Sequence, residues 1–385
     1  MGCKLLRLEQ NVTARKRVTE SFRNAWGTEV ATDNTGEAPP CVWSAPFVGL
    51  EFDDRLMELR LHGQARDCER APLRLLRVLL ERPREVVSHD ELLQRVWRRS
   101  KAHISRQVLT NAVRKLRQAL GDERHELIVA HPGHGYSLQA EITRSEVSPL
   151  PALEQVLDVG RVVPGRADWV LQRRLDEGGA NPVWCGEHQA TAEKRVFKFA
   201  GDGFRLAALR REVTIGRLLR EALGDRPQFV PVHGWNLEQA PFFIECALGG
   251  LDLPRWVAER GGCERIPLAQ RVALVAAAAE AVALAHSVGV LHKDVKPSNL
   301  LVSESADGNL LVRLVDFGNG RLIEPEILEQ YNITRDRPLP QATDTDQPLG
   351  TLKYMAPELF AEDAAPTTGA DVYARRGGAV SNGGR

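Results

Sequence analysis

The stretch Val290-Leu291-His292-Lys293-Asp294-Val295-Lys296-Pro297-Ser298-Asn299-Leu300-Leu301 constrains this chain more than any other, together with Val315-Asp316-Phe317-Gly318 downstream. Both are polar clusters hemmed in by apolar residues, which places charged side chains on tight turns between short strands. Asp294 stands two residues before Lys296 and five before Asn299. With the second carboxylate at Asp316, these are the parts that phosphoryl transfer needs. One carboxylate orients a hydroxyl nucleophile, an ammonium steadies the moving phosphate, and Asn299 and Asp316 hold Mg²⁺. The plain alternative is a polar loop that carries these letters by chance; agreement in content, order and separation argues against it.

These two motifs closely resemble the catalytic core of eukaryotic-like Ser/Thr protein kinases. The resemblance implies ATP and Mg²⁺ as cofactors and a Ser or Thr of a protein as substrate. It makes Asp294 the base and nucleophile orienter, Lys296 the γ-phosphate cation, and Asn299 and Asp316 the metal ligands. Upstream, Val196-Phe197-Lys198-Phe199 alternates as a strand. The family would send Lys198 to the α- and β-phosphates and pair it with Glu212 on the following helix; a Glu212 that merely meets its neighbouring arginines is the alternative. Leu175, Val183, Val196 and Leu301 would wall the adenine, and the backbone of Glu245 and Ala247 would bond its edge. Gly178 would cover the phosphates.

Three features depart from the family pattern. The glycine-rich loop keeps only Gly178 in register, with Asp176 and Asn181 in place of the outer two glycines and Pro182 removing an amide. A carboxylate at Asp176 would repel phosphate. Lys293 replaces the more usual Arg, so it offers an activation-loop phosphate only a point charge. Thr343, Thr345 and Thr351 are candidate phosphosites in a segment running from Asp316 to Glu358. Finally, Asp371 is placed to brace the catalytic loop, but the chain then turns to Gly and Asn over residues 375–385, poor material for a buried helix. We therefore expect an incomplete C-lobe, ordered as a kinase only to about residue 374.

Residues 46–141 carry a second pattern. Brief strands around Phe47–Phe52, Leu56–Leu61 and Ala65 precede a helix with Leu73, Leu75, Leu76, Leu79 and Leu80 on one side. Ser88-His89-Asp90-Glu91 has the form of a capping box. A third helix is expected from Ser105 to Gly121, and Leu127–Ala130 and Gly135–Leu138 bracket a hairpin turn. This order resembles the OmpR-type winged helix of bacterial transcription regulators. The resemblance implies double-stranded DNA as partner, with Asn111 and Arg114 reading bases and Arg106, Thr110, Lys115 and Arg117 at or near the backbone. Between Arg95 and Arg117 there are eight Lys or Arg and no Asp or Glu, the stripe that phosphate contact requires. A solvated basic helix in a protein-interaction module is the alternative.

The fold expected is thus multidomain α+β: a flexible extension at 1–45, a winged helix-turn-helix domain at 46–141, a tether at 142–164, and a two-lobed kinase-like domain at 165–385. Net charge is zero, so no partner is named by the overall balance. Six scattered cysteines favour a reducing cytoplasm. The most apolar run, 272–285, contains Glu280 and reads as a buried helix rather than a membrane span, so no membrane association is expected. Two functions stay open: a DNA-linked kinase, or a DNA-binding regulator carrying an inactive nucleotide-sensing module. A fragment of a longer gene product is a third reading.

Overall fold

The computed structural model describes residues 40–66, 68–97, 106–176, 182–304, 309–331 and 367–380, with the single residues 333, 354 and 356. The chain opens on a sheet. β1 (Cys41–Ala45), β2 (Leu50–Asp53), β3 (Glu58–Leu61) and β4 (Gln64–Arg66) run as antiparallel neighbours. β1 buries Cys41, Trp43 and Ala45 in strict alternation, which is the period of a half-buried strand. α1 (Arg70–Leu80) follows, then β5 (Val87–Ser88), α2 (His89–Val96) and α3 (Arg106–Leu120). The Ser88 hydroxyl accepts from the Glu91 amide at 3.2 Å and caps α2 as the capping box predicts. Ser105, expected to open α3, lies outside the described residues.

β6 (Ile128–His131) and β7 (Gly135–Leu138) form the wing, with β5 on the other side of β7. At Gly135 a Cβ would overlap the Val87 carbonyl, so the glycine allows this close strand approach. Asp122 organises the entry to the wing: its carboxylate accepts from the amides of Glu126 (2.9 Å), Leu127 (3.1 Å) and Ile128 (2.9 Å). The three helices and the sheet close over one core that includes Phe52, Leu59, Leu76, Leu92, Leu109 and Leu116.

Two boundaries differ from expectation. β1 lies within the stretch expected to be a flexible extension, and β8 (Thr143–Glu146), within the expected tether, pairs with β1 as the fifth strand of the first sheet. All four residues of β8 are exposed, so this edge strand has no apolar alternation to betray it. Arg144 instead lies over the Trp43 ring at 5.3 Å.

The second domain begins with α4 (Leu153–Val156) and β9 (Val162–Val163), also inside the expected tether. β10 (Arg166–Arg174), β11 (Val183–His188) and β12 (Lys194–Ala200) lead to the long α5 (Gly203–Leu223), then β13 (Val232–Asn236) and β14 (Phe242–Ala247). The sheet order is β13-β14-β12-β11-β10-β9, with Phe197, Phe199 and Phe243 wholly buried. β15 (Leu251–Asp252) and α6 (Leu253–Glu259) connect to α7 (Leu268–Ser287), and β16 (Val290–Leu291) enters the catalytic loop. β17 (Leu300–Glu304) and β18 (Leu310–Leu314) flank that loop on its far side, followed by β19 (Arg321–Leu322), α8 (Ile327–Gln330) and α9 (Thr368–Val380).

α7 is long and apolar enough to cross a membrane by length and composition alone. Its face with Leu274, Ala278, Ala281, Val282 and Ala285 is buried in the second domain's core, while Leu268, Val272 and Val275 are exposed. α9 continues past residue 374 to Val380. Two glycines in a helix cost about 1 kcal/mol each, which is too little to stop it at Gly377.

Replacing Asp122 by Ala strands amides at the start of the wing. We expect Asp122→Ala to lower stability by on the order of 3 kcal/mol, read as an earlier urea transition, while Asp122→Asn loses less.

Candidate functional site

Lys198 projects from β12, flanked on either side by β11 and β14. Its Nζ donates to Glu212 Oε1 at 2.6 Å and lies 3.9 Å from Asp316 Oδ1. The β12 strand, the α5 helix and the Asp-Phe-Gly turn thus converge on one ammonium. Burial opposes its charge, yet Glu212 and Asp316 hold Lys198 above the ordinary lysine range. Asp316 is half-exposed. Burial would raise its carboxyl, but the charge of Lys198, with Lys296 and the Gly318 amide, brings it below the ordinary range. Arg211, buried beside Glu212, donates to the Gly318 carbonyl and ties α5 to the same turn. Sequence reading missed Arg211 because an arginine next to an ion-pairing glutamate normally points to solvent.

In the catalytic loop, Lys296 Nζ donates to Asp294 Oδ2 at 2.7 Å, and Asn299 Nδ2 donates to the Asp294 carbonyl at 2.8 Å. Asn299 thereby spends its nitrogen on the loop, and its carboxamide oxygen is the end suited to a cation. Burial raises the Asp294 carboxyl above the ordinary aspartate range against the pull of Lys296. Asp294 Oδ1 is buried and receives no hydrogen bond among the described residues. His292, fully buried, accepts from the Asp294 amide through Nδ1 (3.2 Å) and donates from Nε2 to the Val315 carbonyl (2.9 Å). That pattern places its proton on Nε2 and joins the two motifs.

The loop carries strain. Lys293 (φ 64°) and Asp316 (φ 69°) are non-glycine residues in the left-handed region. Asp371 on α9 holds the first of them. Its carboxylate accepts from the amides of His292 and Lys293, both at 2.8 Å, and from His286 Nε2 at 2.9 Å. Burial alone would raise its carboxyl, but these donors bring it below the ordinary range.

The predicted adenine site is brought together only in part. Val183, Val196 and Leu301 stand on β11, β12 and β17, and Leu175 donates its amide to the Val183 carbonyl at 2.7 Å. Glu245 is buried; its carboxylate accepts from Arg166 (3.0 Å) and from Arg195. The Ala247 amide, expected to face adenine, donates to the Pro231 carbonyl at 3.0 Å. Asp176 does not face outward: Oδ1 accepts from the Val183 amide at 2.8 Å and Oδ2 from Arg174 at 2.7 Å. Gly178, Asn181, Thr343, Thr345, Thr351 and Glu358 lie outside the described residues.

On the first domain, α3 exposes Arg106, Gln107, Thr110, Arg114 and Gln118 along one side, with Asn111 half-buried at its edge. The two glutamines went unread because they carry no charge, although their spacing puts them on the same face as Thr110 and Arg114. Two expected phosphate contacts are engaged within the protein. Lys115 Nζ donates to both oxygens of Glu69, at 2.8 and 2.9 Å. Arg117 Nη2 donates to the Ile128 carbonyl at 2.6 Å and braces α3 to the wing.

Two family models match the chain: "Transcriptional regulatory protein, C terminal" over residues 63–138, and "Protein kinase domain" over residues 235–376. The chain carries an OmpR-type regulator domain followed by a protein kinase domain. The kinase domain is similar to the serine/threonine-protein kinase PknH of Mycobacterium tuberculosis, at 32% identity over 210 residues, covering 53% of this chain and 29% of the relative. PknD of the same organism is 34% identical over 213 residues, covering 53% and 28%. PknE is 33% identical over 213 residues, covering 53% and 32%. The chain thus spans about 30% of the length of these curated relatives.

A protein kinase domain uses ATP with a divalent metal, and the site fits both. The paired cation at Lys198 suits phosphate, and the deprotonated Asp316 with the free end of Asn299 suits a cation held partly by phosphate oxygens.

The low carboxyl of Asp371 makes a pH prediction. Its stabilising contribution is present above the unfolded aspartate value, about 3.9, and is lost as pH falls through its lower folded value. Asp371→Asn should leave one loop amide without an acceptor and cost about 1–3 kcal/mol at neutral pH. The difference from wild type in thermal melts should shrink in acid.

Proposed function

We propose that this chain is a Ser/Thr protein kinase that transfers the γ-phosphate of ATP to protein hydroxyls, tied to a domain that binds double-stranded DNA. The observation that carries the kinase reading is the closed Lys198–Glu212 pair with Asp316 beside it, because this arrangement joins the phosphate and metal ends of one site. Asp294 Oδ1 is the acceptor for the substrate hydroxyl and orients its oxygen toward the phosphorus. Lys296 offsets the negative charge that gathers on the phosphate. Mg²⁺ at Asn299 and Asp316 supplies charge neutralisation at the phosphate oxygens. Arg106, Arg114 and Asn111 are the direct DNA contacts, with Thr110, Gln107 and Gln118 beside them, and Lys115 reaches a phosphate by leaving Glu69. A reducing cytoplasm suits the five free cysteines among the described residues.

The second reading, a DNA-binding regulator with an inactive nucleotide-sensing module, keeps the Lys198 cation for phosphate without the transfer step. Under that reading ATP raises the melting temperature without phosphate transfer.

Incubation with labelled ATP and Mg²⁺ separates the two. Transfer to protein is expected, falling by about 10²–10⁴-fold in Asp294→Asn; nucleotide binding without transfer in the wild type overturns the kinase reading. Because Asp294 must be ionised to accept the hydroxyl proton, activity should rise with pH through a value above the ordinary aspartate value of about 3.9. For the DNA reading, Arg106→Ala with Arg114→Ala should weaken duplex binding in a gel shift and lower the salt slope by about two. Unchanged binding and slope would place the contact elsewhere.

A further inference from the structure

Residues from Pro40 onward belong to one compact unit, and within it the regulator domain meets the kinase domain at the start of α5, the helix that carries Glu212. At Gly203, the first residue of that helix, a Cβ would overlap the backbone of Leu56 in the β2–β3 turn. Gly203 has an ordinary backbone conformation, so the close approach is what calls for glycine there. The turn is itself built for a purpose: Asp53 Oδ1 accepts from the amides of Arg55 (2.9 Å) and Leu56 (3.2 Å), and Met57 takes a left-handed φ of 47°. Leu56 packs against the cluster that holds Leu206, Leu209 and Val213 of α5.

Two further contacts extend this seat. Phe204 packs against the regulator core, with the Arg70 guanidinium 4.6 Å above its ring and that of Arg74 at 5.7 Å. Arg210 lies 3.6 Å from Glu58 of β3. Gly203 and Arg210, seven residues apart, share one side of α5, and Glu212 falls on the opposite side. The helix is therefore clamped between the regulator domain and Lys198.

The clamp connects to the DNA face. Glu69 immediately precedes α1, next to Arg70, and its carboxylate is the partner of Lys115 on α3. A phosphate that draws Lys115 away leaves Glu69 a bare carboxylate beside Arg70, where it competes with the Phe204 ring for that guanidinium. Loss of the guanidinium loosens the start of α5, whose position decides whether Glu212 reaches Lys198.

We propose that the regulator domain is the regulatory partner of α5, and that a duplex on α3 and a nucleotide at Lys198 weaken each other's binding through the Lys115–Glu69 and Arg70–Phe204 contacts. This rests on the DNA and ATP reading above and goes beyond it by joining the two sites. By linkage the two effects must be equal in size.

The test uses the full chain, a mixed-sequence DNA duplex and a non-hydrolysable ATP analogue with Mg²⁺. Anisotropy is measured for each ligand alone and with the other saturating. Both affinities should fall by the same factor, about fivefold or more. Phe204→Ala should bring that factor to one, leave duplex affinity unchanged and weaken analogue binding. Glu69→Gln, nearly isosteric and outside the core, should also abolish the coupling, and it keeps the test decisive if Phe204→Ala does not fold. If wild type binds both ligands independently, or each tightens the other, the coupling is overturned while the proposed function stands. If wild type binds only one ligand or neither, the proposed function falls and the coupling with it.

Discussion

The ion pair between Lys198 and Glu212 is the interaction on which the catalytic half of the molecule depends. Burying two charges costs several kcal/mol each before their attraction is counted, and a pair of apolar side chains would often be as stable. Its value lies in position rather than stability. Lys198 is fixed by strands on both sides, so the pair sets where α5 lies relative to the sheet. Arg211, one residue away, carries that setting to the Gly318 carbonyl. A shift of α5 would therefore disturb the phosphate end and the metal end of the site together.

The catalytic loop shows the complementary constraint. A non-glycine residue in the left-handed region costs roughly 1–2 kcal/mol, and both Lys293 and Asp316 adopt it. Each is held by an electrostatic contact that rewards the strained form. Asp371 accepts from the successive amides of His292 and Lys293, and Lys198 attracts Asp316. His292 links the two turns through its ring nitrogens. The strain and its supports lie on different chain segments, so the site exists only when β16, β18, α5 and α9 are assembled.

This division explains what could be read in advance. Asp294, Lys296, Asn299 and Asp316 stand out in the sequence because the chemistry proposed for them needs fixed residue types at short spacings. The Lys198–Glu212 pair was legible for the same reason, with helix and strand periods locating each partner. β8 was not legible, because a fully exposed edge strand carries no apolar alternation. Lys115 and Arg117 were assigned to phosphate from charge and spacing, yet both cations are turned to partners within the fold. Charge locates a basic helix, whereas the partner of each long side chain depends on elements distant in sequence, Glu69 in one case and Ile128 in the other.

The Asp176 substitution shows how a tertiary contact can reverse the meaning of a residue. A carboxylate at the edge of a phosphate loop should repel phosphate, and at an open loop position it would. Here Arg174, two residues earlier, faces the same carboxylate with two bonds, 2.9 Å from Nε and 2.7 Å from Nη2. The remaining lone pairs reach across the loop to the Val183 amide, 2.8 Å away. The side chain thus closes the base of the loop, a job that bare backbone does when glycine stands there. Its charge is balanced locally by Arg174. The consequence falls on the opposite wall: with Pro182 removing an amide from the loop, attraction for a nucleotide's phosphates must come chiefly from Lys198. That makes the placement of α5, which keeps Lys198 charged and in position, matter more in this chain than in one with a full glycine loop.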